Sequence, residues 1–292
     1  MQIPSRFTGA RSKPYTVALS PRQTMNYAAG LNDANPAYFD DERPGGILAP
    51  PMLAVALTWP LSADFETWWG ETGFPPEARA MQVHYNESIV WNRALRPDDC
   101  LTIQGEIAGM RPHPAGTLLA VRYDAADRTG APVFTEHITG LLRGVALEDG
   151  GSGHAPPLET RPDSLEPGWE TALPIDPLAA HIYDACADIV FPIHTSVAFA
   201  RQVGLPGPIY QGTATLGLAA REILNREAGG NPAALAEIHA GFRGMVFPGT
   251  EITLRVHGAQ LENAGKTIYF DVETPDGAQA IRDARAVLRE PG

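Results

Sequence analysis

Residues 191–224 read FPIHTSVAFARQVGLPGPIYQGTATLGLAAREIL, and their last third decides the fold. Gly and Pro residues from 204 to 208 interrupt the chain, which is the chemistry of a bend. Behind the bend, GTATLGLAAREIL is an apolar run of helical length, and a helix of that kind needs cover. Cover follows in strand-like runs at about 236–246, 250–261, 266–273 and 279–289, separated by turn residues. Ahead of the stretch, DPLAAHIYDACAD (176–188) reads as another helix, with Asp176 as cap and Pro177 at its first position.

The first half of the chain repeats this order. SPRQTMNYAAGLN (20–32) is a helix capped by Ser20 with Pro21 at its start. DANPAYFDD follows, then GGILAPPMLAVALTWPL, a Gly/Pro bend opening an apolar helix. Strand-like runs then cover about 80–92, 99–109, 117–125 and 132–145. Short segments align in register between the halves: NPAYFD with FPIHTS, LAPPM with PGPIY, LRPDDCLT with VFPGTEIT. Such ordered self-similarity points to duplication of one α+β unit, a long central helix wrapped by an antiparallel sheet. Residues 147–170 are rich in Gly, Pro, Ser and acids without periodicity and read as a linker. The expected organisation is therefore a unit over 1–146, the linker, and a unit over 171–292.

Composition narrows the functions. The chain has 292 residues, a net charge of -12, and two lysines, Lys13 and Lys266, with no basic stripe; nucleic acid is not an expected partner. Arg201, Arg221 and Arg243 could pair with an anionic ligand or simply sit in solvated surface. No apolar run is long enough to span a bilayer, and the opening MQIPSRFTGARSKPYTV lacks the apolar core of a secretory leader. The eight histidines show neither HxH nor HExxH spacing, so neither a metal nor another cofactor is expected. Two distant cysteines, Cys100 and Cys186, suit a reducing compartment such as the cytoplasm.

The duplicated pattern resembles the hot-dog fold, and its motifs resemble those of MaoC-like and R-specific enoyl-CoA hydratases. DANPAYFDDERPGGILAPPM is similar to the N-terminal half of such proteins, and PIHTSVAFARQVGLPGPIYQGTATL to the C-terminal half. The resemblance implies an α+β double hot-dog with the two sheets joined, acting on an acyl thioester of CoA or a carrier protein. In that family, Asp-x-Asn-Pro-x-His holds a water between Asp and His, and the start of a central helix supplies an amide to the thioester oxygen.

Each half departs from the pattern. The first keeps Asp33, Asn35 and Pro36 but has Tyr38 at the histidine position, which implies a non-catalytic, substrate-shaping copy. The second keeps Pro192 and His194 but has Phe191 for the asparagine; its carboxylate, Asp188, stands six residues before His194 instead of five. One residue of extended chain is about 3.3 Å, so Asp188 meets His194 only where the loop absorbs the extra residue; Asp184 is the substitute. The resemblance makes His194 the acid/base and Asp188 its partner, whose charge would favour the imidazolium. Gly212 and Thr213 at the helix start, with Tyr210 and Gln211 before it, are the substrate-contacting candidates. His84, within a strand, reads as structural. The expected activity is hydration or dehydration at the 2,3-position. The alternatives are a degenerate binding protein or partner subunit without chemistry, and an isomerase or cyclase using His194 alone. A fused pair already supplies what single-copy relatives build by dimerising, so monomer and homodimer both fit.

Overall fold

Residues 1–165, 168–262 and 265–290 are described by a computed structural model of the chain. Glu166 and Pro167 of the expected linker, Asn263 and Ala264 of the second unit, and the last two residues lie outside the described residues.

A short β1 (Gln2–Ile3) precedes β2 (Tyr15–Ala18) and α1 (Pro21–Gly30). Ser20 caps α1 as its sequence suggests: its hydroxyl accepts the Gln23 amide at 3.1 Å, with Pro21 in the first turn. After α2 (Pro36–Phe39) comes the first central helix, α3 (Ala54–Ala63). It is shorter than the sequence leads one to expect. A 3-10 turn occupies Pro51–Leu53, and Pro60 lies inside the helix, where a ring without an amide hydrogen cannot continue the ladder. Two further short helices, α4 (Phe65–Trp69) and α5 (Pro76–Arg79), lead into four long strands: β3 (Gln82–Trp91), β4 (Cys100–His113), β5 (Gly116–Asp127) and β6 (Pro132–Arg143).

Two-residue strands β7 (Ala146–Leu147) and β8 (Ser152–Gly153) pair with β1 and β4. The second unit then runs through β9 (Trp169–Pro174), α6 (Ala179–Ala187), α7 (Val197–Gln202), α8 (Gly212–Glu227), β10 (Leu235–Phe242), β11 (Glu251–Glu262), β12 (Gly265–Glu273) and β13 (Gln279–Leu288). Asp176 is not the cap of α6. Its carboxylate accepts the Leu178 amide at 2.7 Å in a turn, and the helix starts one step later.

The strand order shows the duplication directly. It runs β2-β4-β5-β6-β3 in the first unit and β10-β13-β12-β11-β9 in the second, the same arrangement reversed. β3 and β10 pair antiparallel from Glu237↔Val90 to Gly241↔Asn86, so one continuous sheet covers both central helices. This is the α+β double hot-dog architecture. One apolar core runs through both units, from Leu57 and Leu61 of α3 to Leu216 and Ile223 of α8. Helices α1 and α6 pack against each other, with the Tyr27 and Tyr183 hydroxyls 2.9 Å apart and both rings fully buried. Among the described residues no helix is long and apolar enough to cross a membrane.

Candidate active site

The loop that leaves α1 and the loop that leaves α6 are copies of one segment in two different states. In the first, Asp33 is buried and its carboxylate accepts the Asn35 amide at 3.1 Å. Asn35 in turn caps α2 through Ala37 and donates to the Gly230 carbonyl at 2.6 Å. Tyr38, in the histidine position, is packed with Ala28 and Ala37. Asp33 and Asn35 of this copy are thus engaged in holding the turn.

In the second copy, α6 ends on Asp188 in the left-handed conformation, at φ 57°, which Asp tolerates better than most residues. The matching position of the first copy, Asn32, is left-handed too, at φ 50°, so the two loops turn alike and Asp188 stands where Asn32 does, with Ile189 in the place of Asp33. Asp188 is exposed, and its carboxylate accepts no hydrogen bond among the described residues; its charge is felt by Tyr15 and Asp184. Asp184, half-buried one turn earlier, is pushed up by burial and opposed by the Phe191 amide. It therefore braces the loop from behind.

The chain then turns through Pro192–His194 as a 3-10 segment, and Ser196 caps α7 by accepting the Phe199 amide. His194 is half-buried. Its Nδ1 donates to the Ile209 carbonyl at 2.9 Å, and the Ile209 amide donates back to Ile193 at 3.3 Å. The bend before α8 thus fixes the ring and its tautomer, leaving Nε2 without a partner among the described residues. Burial lowers the His194 pKa, and the Ile209 bond only partly offsets it. Burial therefore works against the imidazolium that the Asp188 charge was expected to favour. Phe191, where the asparagine was expected, stands edge-on to His194 with centroids 6.2 Å apart.

Beside the ring begins α8. Its first-turn amides lack acceptors within the helix, no side chain caps it, and its first turn carries no acid. A helix start in this condition is suited to stabilise an oxyanion. Gly212 and Thr213 are half-buried while Ala214 to Ala220 are buried, so the start of the helix is reachable and the stretch behind it is not. Gly212 has a packing reason as well, because an added Cβ would lie 3.1 Å from the Phe242 ring. Tyr210 and Gln211 sit deeper. Tyr210 packs edge-on to Tyr183, and its amide donates to Val246 at 2.7 Å. Gln211 donates to the Ala180 carbonyl at 3.0 Å, and its buried side-chain oxygen has no partner among the described residues.

The sequence missed the Tyr27–Tyr183 pair, which reaches Thr213 through a 3.3 Å bond from the Tyr183 hydroxyl. The signal was present as a tyrosine ahead of Asp33 in one half and ahead of Asp188 in the other. Two of the arginines join the units: Arg221 donates to the Leu31 carbonyl at 2.6 Å, and Arg243 to the Tyr85 carbonyl at 2.6 Å. No group of three or more His, Cys, Asp or Glu able to hold a metal occurs among the described residues.

Two central helices under a shared sheet, with a half-buried imidazole ahead of the uncapped start of one of them, define a double hot-dog protein. Comparison with known proteins agrees. Residues 166–277 match the family model described as MaoC like domain, and residues 6–136 match FAS1-like, dehydratase domain region. The 3-hydroxyacyl-thioester dehydratase Y of Mycobacterium tuberculosis is 27% identical, with 96% of this chain and 95% of that protein aligned. The peroxisomal enoyl-CoA hydratase 2 of Arabidopsis thaliana is 33% identical over 28% of this chain and 30% of its own length. A MaoC-like dehydratase from Phytophthora capsici shares the fold at a TM-score of 0.82, with 23% identity and 97% of each chain covered. Residues 166–277 thus resemble a MaoC like domain and residues 6–136 a dehydratase region, and over its full length the chain is similar to a 3-hydroxyacyl-thioester dehydratase.

Proposed function

We propose that this protein adds water to, or removes it from, the 2,3-position of an acyl thioester, with the second unit carrying the chemistry and the first shaping the acyl site. The observation that carries this is the state of His194: Nδ1 tied to Ile209, Nε2 free, beside the uncapped start of α8. Relatives named as a 3-hydroxyacyl-thioester dehydratase and an enoyl-CoA hydratase support it.

In the hydration direction His194 Nε2 takes a proton from water as the water oxygen bonds to C3. The double-bond electrons move to C2, and charge passes to the thioester oxygen, where the α8 amides stabilise it. A proton then reaches C2, and the sum is one water added. Asp188, exposed with free lone pairs, orients that water. Dehydration runs the same steps backward. CoA and a carrier protein present the same thioester, and the free thiols of Cys100 and Cys186 fit a reducing, cytoplasmic setting.

His194→Ala should lower the hydration rate of a trans-2-enoyl thioester by about 10²–10⁴-fold at an unchanged melting temperature. An unaltered rate rejects the assignment. A second reading, chemistry by His194 alone, draws on the lack of a bond between Asp188 and His194. Asp188→Asn separates the two: a large loss of hydration supports the pair, and full retention supports the lone imidazole.

A further inference from the structure

The first unit holds a second polar constellation that the duplicated fold does not require. Glu87 on β3 and Glu136 on β6 are both 0% exposed. The register Ile89↔Glu136 and Glu87↔Ile138 sets them diagonally on the face turned towards α3, where the Thr58 hydroxyl faces Glu136. His84 Nε2 lies 3.3 Å from Glu87 Oε2, without the alignment of a hydrogen bond. His84 Nε2, Glu87 Oε2 and both Glu136 oxygens are buried and receive no hydrogen bond among the described residues. Burial pushes Glu87 up to about 8, raises Glu136 as well, and drives His84 down to about 4. Both acids therefore keep their protons at neutral pH, beside a neutral imidazole.

The second unit shows what the fold needs at these positions. There the inner faces of β10 and β13 present Ile238, Ala240, Ile281, Ala284 and Ala286, all buried. An apolar interior suffices for this architecture, and burying carboxyl groups is costly. The constellation is also continuous with the reaction site. The His84 ring meets the Phe242 ring at 4.6 Å, and Phe242 covers Gly212 at the start of α8. Glu87 acts electrostatically on Tyr183, which bonds Thr213.

We propose that His84, Glu87 and Glu136 form the far wall of the acyl site and select acyl thioesters that carry a hydroxyl group along the acyl chain. The wall offers carboxyl O–H donors beside carbonyl and imidazole acceptors. A hydroxyl both donates to such an acceptor and accepts a carboxyl proton, whereas a plain alkyl chain leaves the buried groups unmatched and a carboxylate brings a charge into a buried site. This selectivity rests on the hydration reading above.

The test compares kcat/KM of the full chain for a medium-length straight-chain trans-2-enoyl-CoA with counterparts bearing one hydroxyl at successive positions. At least one position should raise kcat/KM by about tenfold or more. Glu136→Leu should bring that ratio close to one, and Glu136→Gln, which keeps the shape if the leucine variant does not fold, should reduce it. Hydration of plain and hydroxylated chains at equal kcat/KM overturns this inference and leaves the hydration reading standing. A preference that survives both Glu136 substitutions overturns the assignment to these residues. Turnover of none of these thioesters removes the hydration reading and this inference with it.

Discussion

The role of base proposed for His194 rests on what surrounds it. Burial lowers its pKa, and the Ile209 carbonyl holds the proton on Nδ1, so Nε2 presents a lone pair at neutral pH. The rate of hydration should rise with pH through a limb below the ordinary imidazole value of about 6.5 and then stay flat through neutrality. A pH series of kcat/KM checks this. A limb at or above that value would mean that the Asp188 charge governs the ring. The histidine was legible in the sequence because Pro-Ile-His and the Gly-Leu-Pro-Gly-Pro bend stand together in a short stretch. The state of Asp188 was not, since it occupies the left-handed helix-end position that Asn32 takes in the first unit, which its spacing from His194 does not reveal. Glu87 and Glu136 were also hidden: each sits among ordinary strand residues, and alternation does not tell which side of the sheet a carboxylate enters.

At the scale of elements, the contact between α1 and α6 places the two active-loop copies back to back. Gly30, the last residue of α1, is the close point: an added Cβ would stand 2.8 Å from Cys186 Cβ and 3.7 Å from Tyr183 Cα. Neither atom can swing away, so Gly30→Val should cost about 1–3 kcal/mol through overpacking, read as a lower urea midpoint. Gly217→Ala in α8 makes the control. Its Cβ would meet the methyl ends of Leu31 at 2.9 Å, which can rotate, and the loss should be smaller. Equal losses would show that backbone separation at Gly30 does not limit the pair. The eight long strands were legible to within a few residues because turn residues bracket each one, as DRTGAP does between β5 and β6. The edge strands β2 and β9 escaped, being short and only half-buried, with too few inward residues for a pattern. The first central helix is shorter than anticipated because of its prolines, whose effect on length depends on how far the bend before the helix has already turned the chain.

Across the whole molecule, the units are joined strongly enough to unfold together. β3 and β10 make the sheet continuous, Arg243 and Arg289 donate across it to the Tyr85 and Trp91 carbonyls, and Arg221 ties α8 to the end of α1. A charge state inside one unit therefore sets the stability of both. Glu87 and Glu136 have folded pKa values raised by burial, Glu87 to about 8, so between the ordinary carboxyl value and that level the folded chain binds more protons than the unfolded one. Their contribution is fully present below about pH 4.5 and is lost as pH rises towards about 8. Glu237 opposes this at the acid end. Its pKa is lowered, first by the bond to His239, and its contribution is lost as pH falls. The lowered His84, His137 and His194 also oppose it, since their cost fades as pH rises to about 6.5, so stability should decline from about pH 6.5 to about pH 8 by a few kcal/mol, in one transition seen alike by far-ultraviolet circular dichroism and tryptophan fluorescence. Replacing both acids, as Glu87→Gln with Glu136→Gln, should flatten that slope, because a neutral amide has no proton to lose. A wild-type midpoint that is level across the same range would mean that the acid pair is not held protonated by the fold.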